Sequence, residues 1–132
     1  MLIVSIYTHL VDIPQLYRFN DRVKKTRRLP SEYRQLVRQL AALGFVSQGS
    51  VFERAPGQQG SRYVWTRKLK AKTVTVALSE AQYHWLKQAV ANQRELERIV
   101  EQMQRMSRQT LFENVPGVVR RKQLTKKVLG LN

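Results

Sequence analysis

The spacing of apolar residues along the chain predicts two helices on either side of a β-meander. Over residues 30–43 apolar side chains recur every three or four positions, which is the period of one helical face. Over residues 49–78 apolar and polar side chains alternate, as in half-buried strands, with loops at APGQQG and LKAK. The pattern therefore predicts an α+β fold with a short helix, a three-stranded antiparallel β-meander and a long C-terminal helix.

The long helix is predicted over residues 79–109, because neither glycine nor proline occurs from residue 79 to residue 115. Ser79 and Gln82 have the spacing of a capping box, in which each side chain satisfies a free N–H. The far half carries an apolar stripe at heptad-like spacing, and we expect this stripe to mediate dimerisation. Its members are Leu96, Ile99, Met103 and Met106. The alternative is that the helix packs on the first helix and the N-terminal strand of its own chain.

The two ends of the chain predict different structures. Residues 2–8 are rich in strand formers and predict a buried strand. This apolar start is shorter than the roughly 20 residues of a membrane span, so we expect no membrane partner and a cytoplasmic location. We expect one basic domain over residues 1–115. Residues 116–132 then form a basic segment, either a short third helix or a cationic tail, and its many apolar residues favour an amphipathic segment that orders.

Charge changes this picture more than any other property of the composition. The 132 residues include 24 Lys and Arg against 9 Asp and Glu, a net charge of +15. A small domain needs a net charge of only about 2 to 8 for solubility. A larger excess repels itself unless a polyanion is nearby, and the candidate polyanions are DNA, RNA, an acidic protein and, ranked lowest, an anionic membrane surface. The chain has no cysteine, which excludes disulfides and thiolate zinc sites.

The hairpin predicted over residues 61–78 brackets Tyr63 and Trp65 with cations. Cations bind phosphates without sequence demands, and exposed rings stack on unpaired bases, so the pattern favours nucleic-acid binding. The alternative is that both rings belong to the core, which we favour for Trp65. The candidate nucleic-acid-binding residues lie on the hairpin, the first helix, the basic run before it and the C-terminal segment: Arg62, Arg67, Lys68, Lys70, Lys72, Arg34, Arg38, Lys24, Lys25, Arg27, Arg28, Arg120, Arg121 and Lys122.

Catalysis has little support in the sequence. His9 and His84 are the only histidines, and both occupy positions typical of packed or capping side chains. The acids form no pattern that brings two or three carboxylates onto one metal ion. The phosphate-binding patterns GxxxxGK[ST] and GxGxxG and the nucleophile elbow GxSxG do not occur. We therefore expect no metal, no cofactor and a non-catalytic function.

Three stretches together resemble a family of small bacterial proteins that are often encoded beside transposases in mobile elements. The stretches are LVRQLAALGFVSQGSVFER, GSRYVWTRKLKAKTVTVALSEAQ and NQRELERIVEQM. The residues that match the family's pattern are Gly49, Ser50, Glu53, Arg54, Gly60, Tyr63, Thr66, Arg67, Lys68, Lys72 and Thr73. Many members carry a cysteine-rich loop where this chain has APGQQG, so a metal is not carried over.

The resemblance covers somewhat over half of the chain and implies a setting in DNA transactions of a mobile element. On this basis we expect DNA to be favoured over RNA and the protein to associate with the nucleoid. The alternative to nucleic-acid binding is an interaction module that forms a homodimer or docks on a transposase or another nucleoprotein partner. In that case the positive charge would serve mainly to steer the encounter.

Overall fold

The structure, a computed structural model, describes residues 28–132. The strand expected over residues 2–8, His9, and the basic residues Lys24, Lys25 and Arg27 lie outside the described residues. Within them the fold is α+β, as the apolar pattern predicts. The elements in chain order are α1 (Ser31–Ala41), β1 (Ser50–Glu53), β2 (Tyr63–Leu69), β3 (Lys72–Leu78), α2 (Glu80–Asn114) and α3 (Lys126–Leu129).

The described residues divide into two compact units. One unit is Leu36–Glu101, and the other contains residues 28–35 and Gln102–Asn132. The first unit holds the sheet and the beginning of α2, and the second holds the end of α2 together with α3.

The three strands form one antiparallel sheet in the order β1-β2-β3. Val51 pairs with Trp65 across β1 and β2, and Trp65 pairs with Val76 across β2 and β3. Directly paired residues of an antiparallel sheet share a face. These residues therefore share a face with Tyr63 and its partner Leu78. Tyr63 packs on Tyr83 of α2, with ring centroids 4.7 Å apart, so this face of the sheet is turned towards α2.

The long helix α2 begins with the capping box that the sequence predicts. The backbone N–H of Ser79 donates to Oε1 of Gln82 at 2.9 Å, and the N–H of Gln82 donates to Oγ of Ser79 at 3.1 Å. The helix runs for 35 residues and ends at Asn114, five residues beyond the predicted end. No glycine or proline interrupts it before Pro116, which explains the extra turn. No helix of residues 28–132 is both long and apolar enough to cross a membrane.

The loop after α1 is held to α2 by two long-range hydrogen bonds. The backbone N–H of Ser47 donates to the carbonyl of Ala89 at 3.1 Å. The Asn92 amide, Nδ2, donates to the carbonyl of Phe45 at 2.9 Å. Asn92 thus has a hydrogen-bond partner within its own chain. These bonds position the start of β1 against α2.

The C-terminal segment forms a capped helical turn on the end of α2. Thr125 caps α3 by accepting a hydrogen bond from the N–H of Val128, and Gly130 ends it in the left-handed conformation with φ 68°. Arg108 of α2 donates from Nε to the carbonyl of Gly130 at 2.8 Å. Of the two expectations for this segment, the short third helix is therefore the one that the structure contains.

Candidate nucleic-acid interface

The hairpin of β2 and β3 turns more tightly than the sequence predicts. Leu69 pairs directly with Lys72, so the turn consists of Lys70 and Ala71 alone rather than of residues 69–72. Both turn residues have positive φ, 48° for Lys70 and 66° for Ala71. These angles are those of a type I′ turn, whose twist matches the flanking strands and which normally uses Asn-Gly. The sequence lacks that signal, which is why the bend is predicted too long.

Four cations lie at the turn end of this hairpin, and we call Arg67, Lys68, Lys70 and Lys72 the tip cations. All four are exposed. Lys72 shares a face with Leu69 and Arg67, Lys68 points to the opposite face, and Lys70 stands in the turn. No acidic residue occurs between Glu53 and Glu80, and among the described residues no tip cation forms an ion pair. The tip is therefore a concentrated positive charge that no acid of residues 28–132 pairs with.

Arg62 differs from the tip cations in having an acidic partner within the chain. Its guanidinium pairs with the Glu53 carboxylate, with NH2 at 2.7 Å and Nε at 2.8 Å from Oε1. The same hydrogen bond raises the pKa of Arg62 above its ordinary value. Glu53 and Arg62 flank the pairing of β1 with β2, so the ion pair ties these strands together. The charge of Arg62 is thus paired, unlike those of the tip cations, and its role in phosphate binding stays a prediction.

Tyr63 and Trp65 are both held by the fold. Tyr63 is buried, and this burial raises the pKa of its phenol. Trp65 is half-buried and donates from Nε1 to the carbonyl of Gln48 at 3.0 Å. The guanidinium carbon of Arg67 lies 5.3 Å from the centroid of the Trp65 ring, within cation–π range. Trp65 is thus anchored in the fold, as the core alternative expects, but part of its ring remains accessible to solvent.

The most exposed rings of this unit are ones that the sequence does not identify as a site. Phe45 is 73% exposed and Trp85 is 56% exposed. Their ring centroids lie 5.1 Å apart at an interplanar angle of 42°. Trp85 lies on α2, six residues past the cap at Ser79, and its exposure depends on packing that no local signal in the sequence gives.

The other candidate cations are exposed but are not gathered into the hairpin. Arg28 precedes α1, and Arg34 and Arg38 lie on its surface. Arg120, Arg121 and Lys122 belong to the other compact unit, in the stretch before α3. Among the described candidates, the tip cations are the largest group that one structural element brings together.

The stripe predicted for dimerisation is partly in use within the chain. Ile99 is 0% exposed in a single chain, so it is not available to a partner and its predicted role is corrected. Met106 lines a cavity of about 240 Å³ together with Leu29, Pro30 and Tyr33. Leu96 and Met103 are half-buried. Met106 thus lies beside residues at the start of α1, as the alternative expects, and dimerisation through Leu96 and Met103 stays a prediction.

The groups of the described residues that most commonly take part in acid–base or metal chemistry are His84 and the acids. Across residues 28–132 no group of three or more His, Asp or Glu side chains is placed to hold a metal ion. His84 is exposed, and its Nε2 lies 3.8 Å from the Glu80 carboxylate, one helical turn earlier. This is the arrangement of a solvated surface pair on the first turns of α2.

Comparison with known proteins adds no relative. The chain matches no family model, no curated protein and no solved structure. The resemblance stated from the sequence therefore stays an expectation, and the function has to be argued from the geometry of the hairpin.

Proposed function

We propose that this protein is a non-catalytic nucleic-acid-binding protein whose tip cations hold the phosphate backbone. The observation that carries the proposal is the concentration of four exposed cations on one hairpin without a neutralising acid. Cations that neutralise phosphates release the counterions condensed on the polyanion, and this release supplies affinity for any sequence. A two-stranded ribbon also has the dimensions to enter the major groove of B-DNA.

The backbone of the turn supports a role for the tip beyond closing the hairpin. Lys70 and Ala71 occupy the left-handed region, where a residue with a Cβ is disfavoured by about 1–2 kcal/mol. Asn-Gly would close the same turn with less strain. The chain instead places a lysine at the outermost position of the hairpin. Strain of this kind is typical of sites where side-chain chemistry matters more than stability.

We propose DNA as the favoured nucleic acid and the cytoplasm, at the nucleoid, as the place of action. Charge alone does not distinguish DNA from RNA, so this preference rests on the resemblance to proteins encoded beside transposases. The same resemblance motivates a role in a mobile element or in transposition.

The first test compares the affinities of the purified protein for labelled duplex DNA, single-stranded DNA and RNA over a salt series. For duplex DNA, the logarithm of the binding constant falls by about 0.9 per phosphate contact for each tenfold rise in salt. Replacing Lys68 and Lys70 by glutamine should lower the affinity about tenfold or more at low salt. It should also make the slope of the logarithm of the binding constant against the logarithm of the salt concentration shallower by about 2.

A matched control replaces Arg94 and Arg105 by glutamine. These two residues are exposed on α2, so the change in net charge is the same as in the tip variant. The proposal predicts a clearly smaller loss of affinity for this control. Equal losses in both variants would mean that only net charge matters, and a protein that ignores all three nucleic acids at low salt would rule the proposal out.

A second candidate, docking on a protein partner, is favoured by the apolar surface of the other unit. Phe112, Val118, Val119 and Val128 are exposed there, and Val119 is fully so. Arg120, Arg121 and Lys122 follow directly. An acidic partner with an apolar groove, such as a transposase or another nucleoprotein component, fits this chemistry. Binding through an apolar core should fall only weakly with salt, whereas phosphate binding should fall steeply.

A further inference from the structure

We infer that an unpaired nucleobase stacks in an apolar groove between the sheet and the start of α2. This inference rests on the proposed function and adds the form of nucleic acid that the hairpin holds, a single strand with its bases exposed. The groove has a volume of about 480 Å³ and is formed within one compact unit. Its apolar lining, which we call the tryptophan groove, consists of Trp65, Val76, Leu78, Ala81, Trp85 and Leu86.

The groove has the surface that a flat aromatic ligand requires. Trp65 and Trp85 contribute to it from the sheet and from α2, and Phe45 lies against Trp85. More than half of Trp85 is in contact with solvent, although burying a tryptophan is among the largest hydrophobic gains that a small domain can make. Every nucleobase has a π-face, and stacking on exposed aromatic rings is the usual way in which proteins hold unpaired bases.

Charge at the groove selects the class of ligand. Arg67 lies over Trp65 at 5.3 Å, and Lys72 is on the same face of the hairpin. No acidic residue occurs on β2 or β3, the two strands that border the groove, and Glu80 stands at the start of α2. An occupant therefore combines an aromatic or apolar body with adjacent negative charge. A nucleotide in a single strand has both, because its base and its phosphate are separated by one sugar.

The groove offers few groups that read base edges. The indole N–H of Trp65 is already donated to the Gln48 carbonyl, and the Gln82 carbonyl oxygen is already used to cap α2. These bonds also hold the ring of Trp65 and the first turn of α2 in place. Recognition would then depend on the face of the base rather than on its hydrogen-bonding edge. The groove should accept all four bases with little preference and should discriminate single strands from duplex.

The test measures binding to three ligands of equal length: a single-stranded oligonucleotide, the same strand with abasic sites, and the matching duplex. Trp85→Ala is the diagnostic variant, because Trp85 is more than half exposed and we expect its removal to leave the fold intact. We expect the variant to lose about 5- to 100-fold in affinity for the single strand. Its affinity for the abasic strand and for the duplex should be unchanged. Phe112→Ala removes an exposed ring from the other unit and should leave all three affinities unchanged.

The outcomes separate this inference from the proposed function. If the wild-type protein binds none of the ligands, the proposed function fails. If it binds all three ligands equally and Trp85→Ala changes none of the affinities, phosphate binding by the tip cations remains supported and the groove inference is overturned. If Trp85→Ala instead converts a dimer to a monomer in sedimentation, a second copy of the chain occupies the groove. Quenching of tryptophan fluorescence by the single strand, but not by the abasic strand, gives an independent readout of stacking.

Discussion

At the scale of the residue, Gly49 determines where Trp65 can lie. Gly49 has φ 106°, a left-handed conformation that residues with a Cβ rarely adopt. A Cβ at this position would lie 2.5 Å from the carbonyl oxygen of Thr66 and closer still to Nε1 of Trp65. The hydrogen bond from Trp65 to Gln48 therefore depends on the missing side chain of the neighbouring residue. A side chain there would displace the ring from the tryptophan groove.

We expect Gly49→Ala to lower the free energy of unfolding by about 2–4 kcal/mol, because it adds a steric clash to backbone strain. Gly57→Ala is the control, since Gly57 also has positive φ, 90°, but a Cβ there would meet nothing within 4 Å. It should lower the free energy by about 1–2 kcal/mol, from backbone strain alone. Urea unfolding followed by tryptophan fluorescence measures both values. Equal losses of unfolding free energy would show that the Trp65 side chain moves aside at little cost and that Gly49 does not determine its position.

At the scale of the element, the hairpin keeps its shape through pairing rather than through a favourable turn. Seven residue pairs join β2 to β3, from Tyr63 with Leu78 to Leu69 with Lys72. The two turn residues oppose this pairing, because neither is glycine or asparagine and both have positive φ. The strands therefore hold Lys70 in a conformation that it would not adopt by itself. The pairing of β2 with β3 thereby fixes where the backbone of the tip cations lies.

Ala71→Gly should raise the free energy of unfolding by about 0.5–1 kcal/mol, because glycine adopts the left-handed conformation without the Cβ penalty. Ala77→Gly provides the opposite control. Ala77 lies inside β3, where glycine weakens a strand by roughly 0.5–1 kcal/mol. The two variants make the same chemical change on one hairpin with opposite expected signs, as measured by chemical unfolding. A loss of stability in Ala71→Gly would mean that the turn is not strained.

At the scale of the whole molecule, the dominant property is the net charge of +15. Among the described residues, the acids that form ion pairs with arginines are few: Glu53 pairs with Arg62 and Glu95 with Arg98. Most of the positive charge is therefore unpaired within the described part of the chain. Self-repulsion of this kind opposes compaction until a polyanion or salt screens it.

Sodium chloride should therefore stabilise the protein while it weakens nucleic-acid binding. The screening length shortens from about 10 Å at 0.1 M to about 3 Å at 1 M, so repulsion between distant cations is removed first. We expect the thermal midpoint to rise with salt, by roughly 4 °C for each kcal/mol of repulsion relieved. The thermal midpoint of the variant with Lys68 and Lys70 replaced by glutamine should rise less with salt than that of the wild type. A midpoint that falls with salt would show that ion pairs outweigh repulsion.

Most of the secondary structure follows from local patterns in the sequence. Apolar periodicity predicts α1, the meander and α2, and the structure confirms them within a few residues at each end. The capping box at Ser79 and Gln82 is confirmed atom by atom, because both partners lie within one helical turn. The clustering of cations on the hairpin also follows from the sequence, since neighbours on two paired strands stay neighbours in space. Whether these cations bind nucleic acid is a separate matter for experiment.

By itself, the sequence determined the α+β order of elements, the start of the long helix and a positive charge far above the needs of solubility. Only the tertiary structure decided which side chains are free. It pairs Arg62 with Glu53, buries Ile99, joins Asn92 to a carbonyl 47 residues away and leaves Trp85 in solvent. The physical reason is the separation along the chain over which each interaction acts, because helix periodicity and capping involve residues only a few positions apart. Burial and ion pairing depend on strand register and helix docking, which bring together residues that are distant along the chain.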